Sequence, residues 1–289
     1  MINEIYLRKP EETFMLQTRV VSYNGKEYEI VDRIGAGGNG AVYECIDSTG
    51  SIYAIKFLLR FSKKIIKRFS REVSLMKEVQ HPHLIQYIDS GEIKGIDARD
   101  REYNIKFVVM ERADCNLLEY MKTTQKVEYA VYSAQFKGLC GALAELHKHA
   151  IHRDIKPENI LIHGETWILS DFGLCKFYDM DEALEITTSK EKVGPIFWMS
   201  PEAVTRYYFE NECIGTYSDV FQLCATFAFV LTKKYPGGII TEKSEMNTLP
   251  EIKRVILSGL SNDVSERPKD GNDLMEAISE AINIAVFNC

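Results

Sequence analysis

The sequence IHRDIKPENILI, residues 151–162, sets a dense group of ionisable side chains between apolar flanks. Chain segments that enter a core rarely carry this much charge, and Pro157 excludes an ordinary helix interior. A solvated surface loop is one explanation, and a site on which the charges converge is the other. The polar and charged members are His152, Arg153, Asp154, Lys156, Glu158 and Asn159.

Length and composition restrict the class of protein. The 289 residues are enough for one large domain or for two lobes with separate cores. Hydrophobic residues make up 45% and charged residues 27%, which is typical of a globular chain. No apolar run approaches the length of a membrane span, and the first residues lack a secretory pattern. A net charge of −7 disfavours general nucleic-acid binding, so we expect neither a membrane nor a nucleic acid as partner.

The cysteines indicate a reducing compartment. There are seven, an odd number, and no C-x-x-C pair occurs. Reduced thiols are therefore expected, rather than a disulfide framework or a zinc site. The predicted location is the cytoplasm.

The pattern of apolar residues changes along the chain. The first half predicts strands, including a hairpin with Asn24-Gly25 as its turn. Ser62 is the predicted cap of a helix over 63–79, with Ile65, Ile66, Phe69, Val73 and Met76 at helical spacing. Residues 94–103 are predicted as an exposed loop. After residue 114 the patterns are mainly helical, which favours two lobes with a cleft near residues 110–116.

A glycine pattern, G-x-G-x-x-G-x-V, occurs at Gly35, Gly37, Gly40 and Val42. Glycines let backbone amides approach an anion without a Cβ in the way. A dinucleotide-binding fold has similar spacing but requires a helix directly after the last glycine. Here AVYECID is strand-like, so the pattern favours a hairpin that covers phosphates.

Lys56 is a single cation in the apolar stretch YAIKF. Burying an unpaired lysine costs several kcal/mol, whereas a lysine at a sheet edge can extend its ammonium to water. Glu72 lies near the apolar stripe of the predicted helix and is the candidate partner. Such a pair could position nucleotide phosphates.

Taken in order, the motifs resemble those of the eukaryotic-type protein kinase family. They are GAGGNGAV at 35–42, AIK at 54–56, HRDIKPEN at 152–159, DFG at 171–173 and SPE at 200–202. Asp219 and Arg267 resemble two further family positions, and the likeness runs from about residue 27 to 284. It implies an α+β fold of two lobes: a β-rich N-lobe with one main helix and a larger, mostly helical C-lobe. The expected domains are an N-terminal extension at 1–26, the N-lobe at 27–113 and the C-lobe at 114–289.

The resemblance implies a role for each residue of the charged loop. Asp154 would accept the proton of the substrate hydroxyl, and Lys156 would bring positive charge to the transferring phosphate. Asn159 and Asp171 would hold magnesium, with manganese as the alternative ion. Lys56 and Glu72 complete the catalytic set. ATP and a protein substrate are the implied partners.

The same resemblance implies a nucleotide site. Leu161 would lie under the adenine, opposite Val42 and Ala54. The backbone of residues 111–113 would form hydrogen bonds with the edge of the adenine. Asn116 is a further candidate, for the ribose. The expected nucleotide-binding residues are Ile34, Gly35, Ala36, Gly37, Gly38, Asn39, Gly40, Val42, Ala54, Lys56, Met110, Glu111, Ala113 and Leu161.

Two signals conflict on the acceptor residue. Lys156 in HRDIKPEN is the serine/threonine form, whereas Pro195 in PIFWM resembles tyrosine kinases. We predict a serine/threonine kinase that autophosphorylates, and dual specificity is the alternative. A catalytically weak nucleotide-binding scaffold and a small-molecule kinase are further alternatives. The oligomeric state is left open, with a transient dimer for autophosphorylation as one option.

Activation by phosphorylation is a separate hypothesis. Thr187, Thr188 and Ser189 lie between the DFG and SPE motifs. In family members with an arginine at the position of Arg153, a phosphorylated residue of this segment pairs with it. The alternative is that these hydroxyls are merely solvated.

Overall fold

The chain forms two compact units, Met1–Glu78 with Ile85–Ala113 and Val79–Leu84 with Asp114–Cys289. The computed structural model describes residues 2–9, 11–178, 197–209, 213–236, 240 and 245–287. The first unit is rich in strands and the second in helices. This confirms the α+β class that the sequence predicted.

The first unit is built on one eight-stranded sheet in the order β1-β2-β7-β8-β6-β5-β4-β3. All neighbouring strands are antiparallel. The strands are β1 Ile2–Tyr6, β2 Thr13–Gln17, β3 Arg19–Val21, β4 Glu27–Ala36, β5 Gly40–Asp47, β6 Ile52–Leu58, β7 Tyr87–Asp97 and β8 Glu102–Met110. Residues assigned to an N-terminal extension thus form three strands of this sheet.

The predicted hairpin at Asn24-Gly25 is confirmed. β3 pairs with β4, with Val21 opposite Glu27, and Gly25 has a φ of 78°, which glycine adopts without strain. The buried carboxylate of Asp89 holds the turn. It accepts hydrogen bonds from Ser22 Oγ at 2.6 Å and Asn24 Nδ2 at 2.9 Å.

The predicted helix is α1, Lys63–Glu78. Ser62 caps it, because its Oγ accepts a hydrogen bond from the Ile65 amide at 3.3 Å. Phe69 and Met76 are buried as expected, together with Leu75. The predicted apolar stripe is only partly correct, since Ile65, Ile66 and Val73 are half-buried.

The exposed loop predicted for residues 94–103 is shorter in the structure. β7 and β8 remain paired as far as Ile96 opposite Glu102, which leaves a short turn. Asp97 Oδ1 accepts hydrogen bonds from the Arg99 and Arg101 amides at 2.9 and 3.0 Å. These bonds close the turn, so the polar residues are the solvent face of a hairpin.

The second unit is mainly helical. Its helices are α2 Leu117–Thr123, α3 Tyr129–Leu146, α4 Pro201–Phe209, α5 Thr216–Thr232, α6 Pro250–Gly259 and α7 Gly271–Phe287. Its short strands are β9 Cys115–Asn116, β10 Ala150–Ile151, β11 Ile160–His163, β12 Thr166–Leu169 and β13 Lys176–Phe177. They form two small sheets, β12-β11-β9 and β10-β13.

Helix α5 runs through the core of this unit. It is buried over most of its length, and its Phe227 stacks on Phe136 of α3 with ring centroids 3.8 Å apart. None of the described helices is long and apolar enough to cross a bilayer. The six described cysteines are free thiols, and Cys289 lies outside the described residues.

Candidate active site

Lys56 and Glu72 form the ion pair that the sequence predicted. Lys56 Nζ lies 2.6 Å from Glu72 Oε1, and the two side chains are 17% and 6% exposed. The pair joins β6 to α1 inside the first unit. Because each charge compensates the other, the lysine can remain within an apolar strand.

The glycines of the loop between β4 and β5 differ in what requires them. A Cβ at Gly40 would collide with the backbone carbonyl of Phe57 on β6, so sheet packing explains that glycine. A Cβ at Gly37 or Gly38 would meet nothing within 4 Å. The protein's own packing does not require glycine at these two positions, whereas close approach of a phosphate to this backbone would. The Gly37 amide already donates to the Gly40 carbonyl at 2.9 Å.

Three of the residues predicted around the adenine, Val42, Ala54 and Met110, lie on adjoining strands of the first unit. Ala54 is opposite both Met110 and Glu44 in the sheet. The Glu111 amide donates to the Gln86 carbonyl at 3.1 Å, so a bond from the Glu111 backbone to a ligand would come through its carbonyl. The remaining predicted residues are exposed at Ile34, Ala36 and Asn39 and half-buried at Gly35, Val42 and Ala113.

The charged loop that follows β10 is held by hydrogen bonds to side chains of α5. Asp219 accepts hydrogen bonds from the His152 amide at 2.6 Å and the Arg153 amide at 2.8 Å. Gln222, one turn later, accepts from the Ile155 amide at 2.9 Å. Sequence reasoning missed Gln222, although a glutamine inside an apolar helix was a usable signal. The solvated-loop explanation is wrong, because His152, Arg153, Asp154 and Asn159 are all buried.

Three predicted residues of this loop contact one another. Lys156 Nζ lies 2.9 and 3.2 Å from the two carboxylate oxygens of Asp154. Asn159 Nδ2 donates to Asp154 Oδ2 and to its backbone carbonyl, each at 2.8 Å. The Asn159 amide therefore has its nitrogen on Asp154, and its oxygen is the atom that suits a cation.

The charge state of Asp154 reflects this setting. Burial raises the pKa of its carboxyl, Lys156 opposes the rise, and the charge of Asp171 adds to it. The carboxylate is thus a stronger base than an exposed aspartate. That property suits a group that accepts a proton during a reaction.

Asp171 begins the DFG motif in a left-handed conformation, with φ 64° and ψ 76°. Its side chain is exposed, whereas the ring of Phe172 is buried against His152 with centroids 5.7 Å apart. A carboxylate and an amide oxygen form the kind of donor set that magnesium prefers. The chemistry of Asp171 and Asn159 therefore fits the predicted metal.

Leu161 and Asn116 are cross-strand neighbours in β11 and β9. The predicted ribose role of Asn116 competes with a structural one. Its Oδ1 accepts the Glu119 amide at 2.9 Å while the Glu119 side chain accepts the Asn116 amide, and this capping box starts α2.

The SPE motif is fixed by a buried ion pair. Arg267 Nη1 and Nη2 lie 2.9 and 3.0 Å from the two oxygens of Glu202, and Ser218 Oγ donates to Glu202 at 2.6 Å. Burial favours the neutral acid, but the bonds from Arg267 and Ser218 prevail and hold the pKa of Glu202 below its usual range. The predictions for Thr187, Thr188, Ser189 and Pro195 fall on residues outside the described part of the chain.

Comparison with known proteins gives the same assignment. The model of the protein kinase domain matches residues 28–282. The serine/threonine-protein kinase pak-1 of Caenorhabditis elegans is 32% identical over 184 residues, which is 63% of this chain and 30% of that protein. Mitogen-activated protein kinase kinase kinase 1b of Physcomitrium patens is 29% identical over 219 residues, 72% of this chain and 26% of that protein.

A G-type lectin S-receptor-like serine/threonine-protein kinase of Arabidopsis thaliana is 26% identical over 247 residues, 83% of this chain and 28% of that protein. This chain thus spans less than a third of the length of these relatives. The domain match covers nearly all of it. Ordered motifs, the Lys56–Glu72 pair and the Asp154 loop agree with that match, and the chain belongs to the protein kinase family, with its two-lobe fold.

Proposed function

We propose that this protein kinase transfers the γ-phosphate of ATP to serine and threonine hydroxyls of proteins, including its own, with magnesium as cofactor. The observation that carries the proposal is the buried contact of Asp154 with Lys156 and Asn159. A carboxylate, an ammonium and an amide thus meet on one short loop, and these groups suit a proton acceptor, a cation for the phosphate and a metal ligand. Little more is needed, because phosphoryl transfer depends mainly on positioning and on neutralising charge.

In the proposed reaction, the acceptor hydroxyl gives its proton to Asp154 Oδ as its oxygen forms a bond to the γ-phosphorus. The bond from that phosphorus to the β-phosphate oxygen breaks, and ADP leaves. Lys156 donates to Asp154 in the resting protein and would follow the growing charge on the phosphoryl oxygens. Magnesium, when bound through Asp171 and the Asn159 amide oxygen, would neutralise phosphate charge.

The first unit supplies groups for the remaining phosphates. The Lys56 ammonium is fixed by Glu72 at 2.6 Å, which orients it without removing its charge. Gly37 and Gly38 present backbone with open space around it. These groups suit the α- and β-phosphates of a nucleotide.

Serine or threonine is the proposed acceptor because of Lys156. Its ammonium contacts the proton acceptor directly, so it acts on the chemical step itself. Pro195 would act only through the residue that follows the acceptor. Two of the relatives are named serine/threonine-protein kinases, which agrees with this choice.

Phosphoamino-acid analysis of the autophosphorylated chain tests the proposal. We expect phosphoserine and phosphothreonine after incubation with ATP and magnesium. Phosphotyrosine as the main product would make Pro195 the better guide. Nucleotide binding without any transfer would leave the scaffold alternative in place.

We extend the proposal to a reducing, cytoplasmic compartment, which the free thiols of the six described cysteines support. A protein substrate follows from the family. Labelling of the reduced thiols in intact cells with a thiol reagent would test the compartment.

A further inference from the structure

The N-terminal hairpin, residues 2–17, is an integral part of the first unit. β2 pairs with β7, with Phe14 opposite Asp97. The hairpin contributes Ile5, Leu7, Phe14 and Leu16 to the core, each at most 8% exposed. Such burial fixes the position of the hairpin, because moving it would expose this apolar surface to water.

The turn end of the hairpin is attached to the segment that leads into α1. Glu12 Oε1 lies 3.1 Å from Arg60 Nη2. The Phe14 ring meets Phe61 edge-on, with centroids 5.5 Å apart, and Phe61 packs on Tyr103 at 4.7 Å. Together with the strand pairing, these contacts make the hairpin a rigid support for anything else it touches.

The last residue of β1 and the one after it contact both strands that flank the glycine-rich loop. Arg33, two residues before Gly35, donates from Nη2 to the Leu7 carbonyl at 3.3 Å. Its guanidinium carbon lies 4.4 Å from the centroid of the Tyr6 ring. On the opposite strand, Tyr43 Oη accepts a hydrogen bond from the Tyr6 amide at 2.9 Å.

These contacts fall where the pairing of β4 with β5 is irregular. Arg33 and Tyr43 are opposite one another, and the register of β4 and β5 shifts on both sides of Arg33. Bulges interrupt the ladder of backbone hydrogen bonds, so the ladder alone fixes the base of the loop less well here. The attachment of both strands to the N-terminal hairpin compensates for this interruption.

We propose that the N-terminal hairpin positions the glycine-rich loop for the nucleotide, with Tyr6, Arg33 and Tyr43 as positioning residues. The inference rests on the proposed function, in which this loop binds ATP phosphates. A glycine-rich loop loses conformational entropy when it closes on a ligand. If the two ends of the loop are already held in place, this entropy loss is smaller and the affinity for the nucleotide is higher. None of the three residues is assigned a contact with ATP.

The test compares Arg33→Ala, Tyr6→Leu and the double variant with the wild type. ATP affinity is measured by isothermal titration calorimetry with magnesium, alongside KM for ATP, kcat and Tm. We expect each single variant to weaken ATP binding about threefold, the size of one exposed cation–aromatic contact. The double variant should be no weaker than Arg33→Ala, because that substitution already removes both the contact with the Tyr6 ring and the hydrogen bond to the Leu7 carbonyl. The value of kcat and the KM for the protein substrate should stay unchanged.

Two further variants sharpen the result. Arg33→Lys keeps a cation for the ring and should recover most of the affinity. Arg19→Ala is the matched control: it removes an exposed arginine of the same sheet that pairs with Glu29 of β4 at 3.2 Å rather than with the hairpin. It should leave ATP affinity unchanged.

Several outcomes would overturn the inference. Wild-type affinity in Arg33→Ala would mean that the hairpin does not act through Arg33. A double variant that binds ATP more weakly than Arg33→Ala would mean that Tyr6 and Arg33 act separately. If Tyr6→Leu does not fold, Tyr43→Phe is measured instead. This variant keeps the ring of residue 43 and removes the oxygen that accepts the Tyr6 amide. Wild-type ATP affinity in Tyr43→Phe would refute the inference. Failure of the wild type to bind ATP would refute the proposed function too, whereas normal binding by wild type and all variants refutes only the role of the hairpin.

Discussion

Lys56 Nζ and Glu72 Oε1 are 2.6 Å apart, and the glutamate side chain is only 6% exposed. The pair therefore links a central strand to the one described helix of the first unit in a setting where neither charge is well solvated. Removing one partner would leave the other charge buried without compensation. Substituting each partner in turn would distinguish the proposed contact of Lys56 with the nucleotide from the orientation of Lys56 by Glu72.

Lys56→Met should abolish phosphotransfer while the protein stays folded, because methionine keeps the apolar stem and removes only the cation. Glu72→Gln should reduce kcat more than it reduces ATP affinity, since Glu72 orients Lys56 and is not assigned a contact with ATP. Initial rates and calorimetric ATP binding measure the two effects. The control is Lys94→Met, which breaks an exposed pair with Glu102 and should leave both unchanged. Wild-type turnover in Lys56→Met would remove Lys56 from the site.

Gly37→Ala and Gly40→Ala should have opposite effects. A methyl group at Gly37 meets nothing in the protein, so Tm should stay the same while ATP affinity falls, about tenfold if the phosphates come close to the backbone at Gly37. A methyl group at Gly40 would collide with the Phe57 carbonyl, so Tm should fall. Thermal unfolding with and without ATP distinguishes the two. Normal ATP affinity in Gly37→Ala would mean that this glycine does not face the phosphates.

Asp171→Asn should abolish phosphotransfer, because it keeps the shape of the side chain and removes the charge that holds magnesium. A magnesium titration of the initial rate measures the effect, and excess metal should not restore the rate. Asp32→Asn, at an exposed position of β4, is the matched control and should titrate like the wild type. Full activity of Asp171→Asn at high magnesium would assign the metal to other residues.

Arg267→Met should destabilise the protein by about 3–5 kcal/mol, the cost of leaving one partner of a buried ion pair unmatched. Arg267 and Glu202 are 0% and 5% exposed in their side chains. Adding Glu202→Gln should recover part of the loss, because no charge then remains buried alone. Denaturant unfolding at neutral pH measures both. An equal or larger loss in the double variant would contradict this explanation.

The same pair gives a pH dependence of stability. The pKa of Glu202 is lowered in the folded chain, so its contribution to stability is complete above the ordinary glutamate pKa and is lost as pH falls through the folded value. Wild-type stability should therefore decline in acid more steeply than that of the Glu202→Gln, Arg267→Met variant.

Local signals explain which elements could be predicted from the sequence. The hairpin at Asn24-Gly25 and the start of α1 at Ser62 depend on residues that act within a few positions of one another. Lys56 and Glu72 could be paired because a single buried cation requires a partner and one acid lay on the adjacent apolar stripe. The charged loop could be assigned because its residues are ordered as in the kinase family.

Longer-range contacts explain what could not be predicted. Residues 2–17 carry no unusual strand pattern, and their place in the sheet depends on β7, some eighty residues later. Gln222 gains its role from a loop sixty-seven residues away, with its oxygen on the Ile155 amide. The glycine pattern does not distinguish Gly37 from Gly40, because the difference depends on the distance from each glycine to β6.

The pH dependence of turnover gives the sharpest test of the charged loop. Burial raises the pKa of Asp154, and the ammonium of Lys156, 2.9 Å away, partly opposes the rise. The proton acceptor must be ionised to work, so activity is lost as pH falls through that pKa. The acid limb of kcat/KM should thus lie above the ordinary aspartate value of about 4.

Lys156→Met should move this acid limb to higher pH, because it removes the charge that favours the carboxylate, and it should also lower the plateau rate through weaker stabilisation of the transferring phosphate. Lys156→Arg, which keeps a positive charge, should leave the limb near its wild-type position even if the plateau falls. A profile of kcat/KM from pH 4 to 9 for the three proteins separates the two effects, since one is a shift along the pH axis and the other a change in height. If the acid limb of Lys156→Met stays in place, Lys156 does not set the basicity of Asp154. If the limb moves to lower pH, the group that titrates there is not a carboxylate stabilised by Lys156.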